Sequence, residues 1–148
     1  PGGITREMLE SLIGPVEILK QTKKALPGLP SPGLLEKHYA PHAEMILIRE
    51  HSNKNTIAGL AKEYQTSGKK IGIMAVDEEI TSLQSFGILT FSLGSINDLG
   101  GVARKIYAGM RYLDEQQVDL ILCRDFGESG LGLAIRDRLT RAATKIID

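Results

Sequence analysis

Four short apolar runs, rich in Ile, Leu and Val, recur along the chain after residue 43. They are MILIR (45–49), KIGIMAV (70–76), GILTFSL (87–93) and VDLILC (118–123). Continuous apolar runs of this length are typical of strands that are buried on both faces. The pattern therefore predicts four strands of a mostly parallel sheet.

Three segments between or after these runs show helical periodicity. One apolar stripe covers residues 57–64 and stops at Ser67-Gly68, a longer one covers 99–113, and a last one runs from about Leu131 to Ala143. Because strands alternate with crossover helices of this length, we predict right-handed connections and a three-layer α/β sandwich.

Ligands of such sheets collect beyond the carboxyl ends of the strands. The segments expected at that edge are Arg49 to Asn53, Val76 to Glu79, Leu93 to Asp98 and Arg124 to Gly130.

The first 43 residues have a different organisation. Thr5 is a plausible N-cap for the helix TREMLESLIG, which Gly14-Pro15 ends. Residues 15–41 hold five of the six prolines, so this segment forms neither a long helix nor a central strand and is predicted to be a structured linker. Because the chain opens on Pro1 rather than Met, we expect it to be a piece of a longer protein.

Composition narrows the classes of function. Eighteen basic and eighteen acidic residues give no net charge, so no overall field favours nucleic acid or an anionic membrane. The single cysteine, Cys123, lies in an apolar run and is predicted to be core, and no Cys/His cluster has metal-ligand spacing. No apolar run approaches the roughly 20 residues of a membrane span. We expect a soluble, cytoplasmic protein without a metal site or direct nucleic-acid contact.

Two glycine-containing turns follow predicted strands. Gly127 to Gly132 precedes a helix, where free N–H groups suit a phosphate, but Ile135 occupies the position of the third glycine in G-x-G-x-x-G. A flexible turn with an N-cap, and Gly132 allowing close packing, is the favoured interpretation. At the other turn we expect Ser95 or Asn97 to cap a helix.

Charged residues elsewhere have simple structural explanations. The acidic triplet 77–79 is interpreted as the start of a helix, where carboxylates are favourable. His51 is interpreted as a loop residue. The basic residues of the last helix are expected to form a solvated face because acidic residues are interspersed among them. They are Arg136, Arg138, Arg141 and Lys145.

The linker carries the most distinctive motif, SPGLLEKHYAP. It resembles the S-P-G-M-K-Y-R-H-Y-A-P linker of the long form of L-threonylcarbamoyladenylate synthase, in the YrdC/Sua family. Lys37 keeps the charge of the arginine, whereas Leu35 and Glu36 depart from the pattern. The seven identical positions are Ser31, Pro32, Gly33, His38, Tyr39, Ala40 and Pro41.

Other segments extend the resemblance over nearly the whole chain. PGGIT is similar to the end of the family's YrdC-like catalytic domain. GLGLAIRDRLTRAAT is similar to the motif that closes the whole sequence of the family. The resemblance implies that residues 1–20 end a YrdC-like domain, 21–43 form a gating linker, and 44–148 form a Rossmann-like accessory domain.

The resemblance also implies a function for the parent protein. The family converts ATP, expected with Mg²⁺, L-threonine and bicarbonate into threonylcarbamoyl-AMP and pyrophosphate, a step in tRNA threonylcarbamoyladenosine modification. The YrdC-like domain carries that chemistry, so this fragment is expected to hold no catalytic residue, to bind no cofactor alone and to be inactive. Lys37, His38 and Tyr39, with Ser31, are the expected ATP contacts of the linker. Glu36 would repel a triphosphate unless it is paired.

An alternative remains open on the residues alone. A free-standing α/β module that binds a nucleotide or another small molecule would place its site in the loops 93–98 and 124–132.

Overall fold

The computed structural model describes residue 4 and the ranges 6–16, 40–49 and 57–148. Ten elements lie in these ranges. They are α1 (Arg6–Ile13), β1 (Glu44–Ile48), α2 (Ile57–Thr66), β2 (Ile71–Ala75), α3 (Asp77–Gln84), β3 (Leu89–Ser92), α4 (Leu99–Glu115), β4 (Leu120–Arg124), α5 (Gly130–Ala142) and β5 (Lys145–Ile147).

The five strands form one sheet in the order β3-β2-β4-β1-β5, and every neighbouring pair is parallel. The four apolar runs are β1 to β4, as predicted, but burial on both faces holds for β1, β2 and β4 only, because β3 lies at the edge of the sheet and its residues are half-buried. The short β5 was not predicted, and it pairs with β1 through the register Leu47 to Ile146.

Helices cover both faces of the sheet, which confirms the three-layer α/β sandwich. Alternate residues of β1 point to opposite faces, so Met45 and Leu47 belong to one buried cluster and Ile46 and Ile48 to the other. The first cluster contains residues of α4 and α5, and the second contains residues of α2 and α3. Cys123 is fully buried in the first cluster, as predicted, and burial raises the pKa of its thiol.

The amino-terminal helix ends where the sequence predicted. Gly14 adopts φ +84°, a left-handed conformation, and its N–H donates to the carbonyl of Glu10. Met8, Leu12 and Ile13 are exposed at 56%, 81% and 74%. None of the helices in the described part of the chain is long and apolar enough to cross a membrane.

Candidate functional site

The strand order creates crevices at the carboxyl edge of the sheet. The chain leaves β4 toward the face of α5, whereas it leaves the neighbouring strands β1 and β2 toward the face of α2 and α3. Adjacent connections that diverge in this way open a gap where α/β proteins bind ligands. Such gaps lie on both sides of the end of β4.

On the β2 side, Glu79 and Arg124 form a half-buried ion pair. The acidic triplet does begin a helix, since residues 77–79 make the first turn of α3. The atom Oε2 of Glu79 is buried and has no hydrogen-bond partner in the described part of the structure.

On the β1 side, the centre is Asp125, which is only 2% exposed. Its Oδ1 accepts from the N–H groups of Phe126 and Gly127 at 2.7 and 3.3 Å. Its Oδ2 lies 2.8 Å from Nε of Arg136, whose side chain is 16% exposed. The prediction of a solvated basic face was therefore wrong for Arg136, because a buried carboxylate holds it against the protein.

Arg136 also borders an open cleft of about 300 Å³. Its Nη1 lies 2.6 Å from Oε1 of Glu128, and this hydrogen bond is the main cause that raises the pKa of Arg136. Arg49, directly after β1, contributes a second guanidinium, with Nη1 2.7 Å from Oδ1 of Asp148. The lining residues are Arg49, Glu128, Leu133, Arg136, Asp137 and Thr140.

The glycine-containing turn before α5 is a close-packed turn. A Cβ at Gly132 would overlap the carbonyl oxygen of Phe126, which confirms that this glycine allows close packing. Ser129 precedes the helix without a side-chain capping bond, and the N–H of Gly130 instead donates to Oε1 of Glu7 at 3.2 Å. A carboxylate from α1 thus lies at the helix start where the alternative interpretation placed a phosphate.

The turn after β3 corrects one expectation. The residue that caps α4 is Asp98, whose Oδ1 accepts from the N–H of Gly101 at 2.8 Å. Ser95 instead donates through Oγ to Glu78 at 2.5 Å, and Ile96 N–H also donates to this carboxylate. These hydrogen bonds lower the pKa of Glu78, and the bond from Ser95 has the largest effect.

Residues 42 and 43, which end the predicted linker, are held at the opposite edge of the sheet. Oδ2 of Asp114, in the last turn of α4, accepts from the N–H of His42 at 2.8 Å, and Oδ1 accepts from the N–H of Ala43 at 3.1 Å. The ring Nδ1 of His42 lies 3.3 Å from the same carboxylate. We refer to these contacts as the Asp114 anchor. Nothing in the sequence pattern pointed to it, because 71 residues separate Ala43 from Asp114.

The predicted ATP contacts are not placed. Ser31, Lys37, His38 and Tyr39 lie outside the described residues, as does His51. Among the residues that are described, no group of three or more His, Cys, Asp or Glu side chains has the arrangement of a metal site. Arg49 was expected at the carboxyl edge and Arg136 on a solvated face, but their meeting in one cleft was missed because 87 positions separate them. The sequence offered one signal for this site, which was Asp125, a charged residue directly next to an apolar strand.

Comparisons with known proteins all point to one family. The family described as the C-terminal domain of threonylcarbamoyl-AMP synthase matches residues 4–144. Threonylcarbamoyl-AMP synthase of Bacillus subtilis is 35% identical over 147 residues, which are 97% of this chain and 40% of that protein. The chain therefore spans about two fifths of the length of this relative.

Solved structures agree with this match. The crystal structure of Pyrococcus abyssi Sua5 complexed with L-threonine is 30% identical, with a TM-score of 0.80 over 99% of this chain and 42% of that one. A variant of the same protein, with an adjacent histidine and tyrosine changed to alanine, is 29% identical with a TM-score of 0.77, and the match covers 99% of this chain and 41% of that one. The chain belongs to the family of threonylcarbamoyl-AMP synthase C-terminal domains.

Proposed function

We propose that this chain is the accessory domain and active-site-gating linker of a threonylcarbamoyl-AMP synthase. The parent would convert ATP, L-threonine and bicarbonate to threonylcarbamoyl-AMP and pyrophosphate for tRNA modification in the cytoplasm. The observation that carries the proposal is the family match over residues 4–144, which includes the motif SPGLLEKHYAP. The YrdC-like catalytic domain of the same parent chain is the partner.

Contacts on both sides of the linker support a gating role. The Asp114 anchor holds residues 42 and 43 at the amino edge of the sheet. Glu7 of α1 contacts Gly130 at the carboxyl edge. A segment tied at both ends reaches a catalytic site with less loss of entropy than a free tail, because its ends are already positioned.

The chemistry of the motif suits a lid over a nucleotide. His38 and Tyr39 provide hydrogen-bond donors, and Lys37 provides a positive charge for a phosphate oxygen. The variant of the Pyrococcus protein replaces the same two residue types in the same order as His38-Tyr39. A lid of this kind would protect a mixed anhydride from water.

The test is threonine- and bicarbonate-dependent release of pyrophosphate from ATP by the full-length parent. We expect His38→Ala combined with Tyr39→Ala to lower the rate at least about tenfold, a loss of about 1.4 kcal/mol of transition-state stabilisation. We expect Glu36→Tyr to lower KM for ATP, because it removes a negative charge beside the phosphates. Glu63→Gln, an exposed carboxylate on α2, serves as the control.

If the double variant were fully active, the linker would only connect the two domains, and the proposed gating role would be contradicted. The 148-residue chain alone should release no pyrophosphate. If this isolated chain instead bound ATP as tightly as the parent does, the free-standing binding module would be the better explanation.

A further inference from the structure

The cleft between α5 and the end of β1 has features of a site for a small anion. Its two guanidinium groups, from Arg49 and Arg136, come from different elements and line the same space. Both belong to the accessory domain, so the feature is independent of the linker. At about 300 Å³ the cleft lies at the lower end of the range for ligand pockets.

Arg136 is oriented by the protein interior. Its Nε lies 2.8 Å from Asp125, a carboxylate that is 2% exposed and is itself fixed by two backbone N–H groups. With Nε held in this way, the guanidinium of Arg136, a residue that lines the cleft, keeps one orientation. A guanidinium fixed from behind is pre-organised to bind an oxyanion through two parallel hydrogen bonds.

Arg49 has unused hydrogen-bonding capacity. Its Nε is buried and has no partner within the described part of the chain, although its Nη1 contacts Asp148. A buried donor without a partner is costly, so a shift of the Arg49 side chain that brings Nε within reach of an incoming acceptor would relieve that cost.

The carboxylates that contact these two guanidinium groups are exposed. The Glu128 side chain is 73% exposed and that of Asp148 is 76% exposed, while each lies within 2.7 Å of a guanidinium. Surface ion pairs of this kind contribute little, so a ligand carboxylate or phosphate can replace them at low cost. Leu133 offers an apolar contact and Thr140 a hydroxyl for the rest of the ligand.

We propose that this cleft binds a small oxyanion, a carboxylate or a phosphate group on a compact molecule, between Arg49 and Arg136. When the ligand is absent, Arg136 contacts Glu128 and Arg49 contacts Asp148. The site lies in the accessory domain and differs from the ATP contacts proposed for the linker.

Titration of the ¹⁵N-labelled 148-residue chain tests this site. The probes are inorganic phosphate and acetate, added separately at constant ionic strength, because salt alone screens exposed charges. We expect saturable shifts of the Nε–Hε signals of Arg49 and Arg136. Arg49→Gln removes one of these signals and so assigns it.

Two variants are expected to change the affinity for the anion in opposite directions. Arg49→Gln should weaken binding at least about tenfold because it removes a charged donor, and Glu128→Gln should strengthen it about threefold because it removes the competing carboxylate. Arg104→Gln is the matched control, since Arg104 is 77% exposed on α4 and does not line the cleft.

Shifts with phosphate alone would identify a phosphorylated ligand, and shifts with acetate alone a carboxylate. Linear, unsaturated shifts would overturn the proposal. So would equal affinity in the Arg49→Gln and Arg104→Gln variants, because the effect would then be general screening.

Discussion

Asp125 is the residue that decides how the carboxyl edge of β4 is built. A carboxylate that is 2% exposed is costly unless each oxygen has a partner, and here the backbone of residues 126 and 127 and the Arg136 guanidinium supply them. The Asp125 side chain therefore joins the loop after β4 to the middle of α5.

Glu78 makes the stability of the fold depend on pH. Hydrogen bonds from Ser95 and Ile96 lower its pKa in the folded state below the ordinary value of 4.5. The stabilisation is therefore complete above pH 4.5 and is lost as the pH falls from there through the lowered pKa. We expect Glu78→Gln to be less stable than wild type at neutral pH, with the difference shrinking in that acidic window.

Urea unfolding of both proteins across the acidic range measures this difference. Glu63→Gln should follow wild type at every pH, because no side-chain contact of Glu63 is present in the described structure and the residue is exposed on α2. A gap between wild type and Glu78→Gln that stayed constant down to the lowest pH would contradict the assignment.

Gly132 lies too close to the chain for any side chain. Because a Cβ there would overlap the Phe126 carbonyl, the backbone of the turn would have to shift. We expect Gly132→Ala to lower the free energy of unfolding by about 1–3 kcal/mol, as measured by thermal or urea unfolding.

Gly100→Ala provides the comparison for that measurement. A Cβ at Gly100 would meet its nearest neighbour, Asp98 Oδ1, at 3.4 Å, an ordinary contact. Alanine is the better helix former, so this variant should be neutral or slightly stabilising. Similar losses in both variants would show that the close approach at Gly132 is not the cause.

Individual side-chain partners were the least predictable feature. Ser95, Asn97 and Asp98 all lie before α4 and all are good capping residues, so the sequence could not say which one points at the free N–H groups. Arg136 looked like a surface residue because its neighbours alternate in charge. Its actual partner, Asp125, precedes α5, and the two side chains meet only because the chain reverses direction between β4 and α5.

Elements were predictable to the extent that their signals were local. The four apolar runs and the three helical stripes each became the expected element, because burial on both faces or on one face leaves its pattern within the segment. β5 has only three residues, and its pairing with β1 depends on contacts about 100 positions away. Such a strand leaves too short a pattern to recognise.

The Asp114 anchor joins two elements, α4 and the start of β1. We expect Asp114→Asn to lower the free energy of unfolding by about 1–2 kcal/mol, because the amide offers one acceptor oxygen where two N–H groups of residues 42 and 43 need partners. In the full-length parent the same change should also lower the rate of pyrophosphate release, since the end of the linker would be less well fixed.

Glu115→Gln, the neighbouring exposed carboxylate, should leave both quantities unchanged. If Asp114→Asn lowered stability but left the rate of the parent intact, the anchor would be a structural contact only and would not position the linker.

At the scale of the whole molecule, the contacts made by α1 and by residues 42 and 43 lie at opposite edges of the sheet. Gly130, the contact of α1, lies at the carboxyl edge, and Ala43 lies at the amino edge. A five-residue strand measures roughly 17 Å, so these two contacts are separated by about the depth of the sheet. A loss of activity in the His38→Ala and Tyr39→Ala variant would therefore concern a part of the sequence that lies between these two contacts.

The position of β1 has a consequence for synthesis of the chain. Among the strands of this sheet, β1 is the first to emerge from the ribosome, yet its partner β4 begins 76 residues later, from Glu44 to Leu120, and β5 follows still later. At about 5–20 residues per second, this apolar strand waits roughly 4–15 s for its neighbours. During that interval its unpaired edges are open to other nascent chains, so slower translation between residues 44 and 120 should increase aggregation.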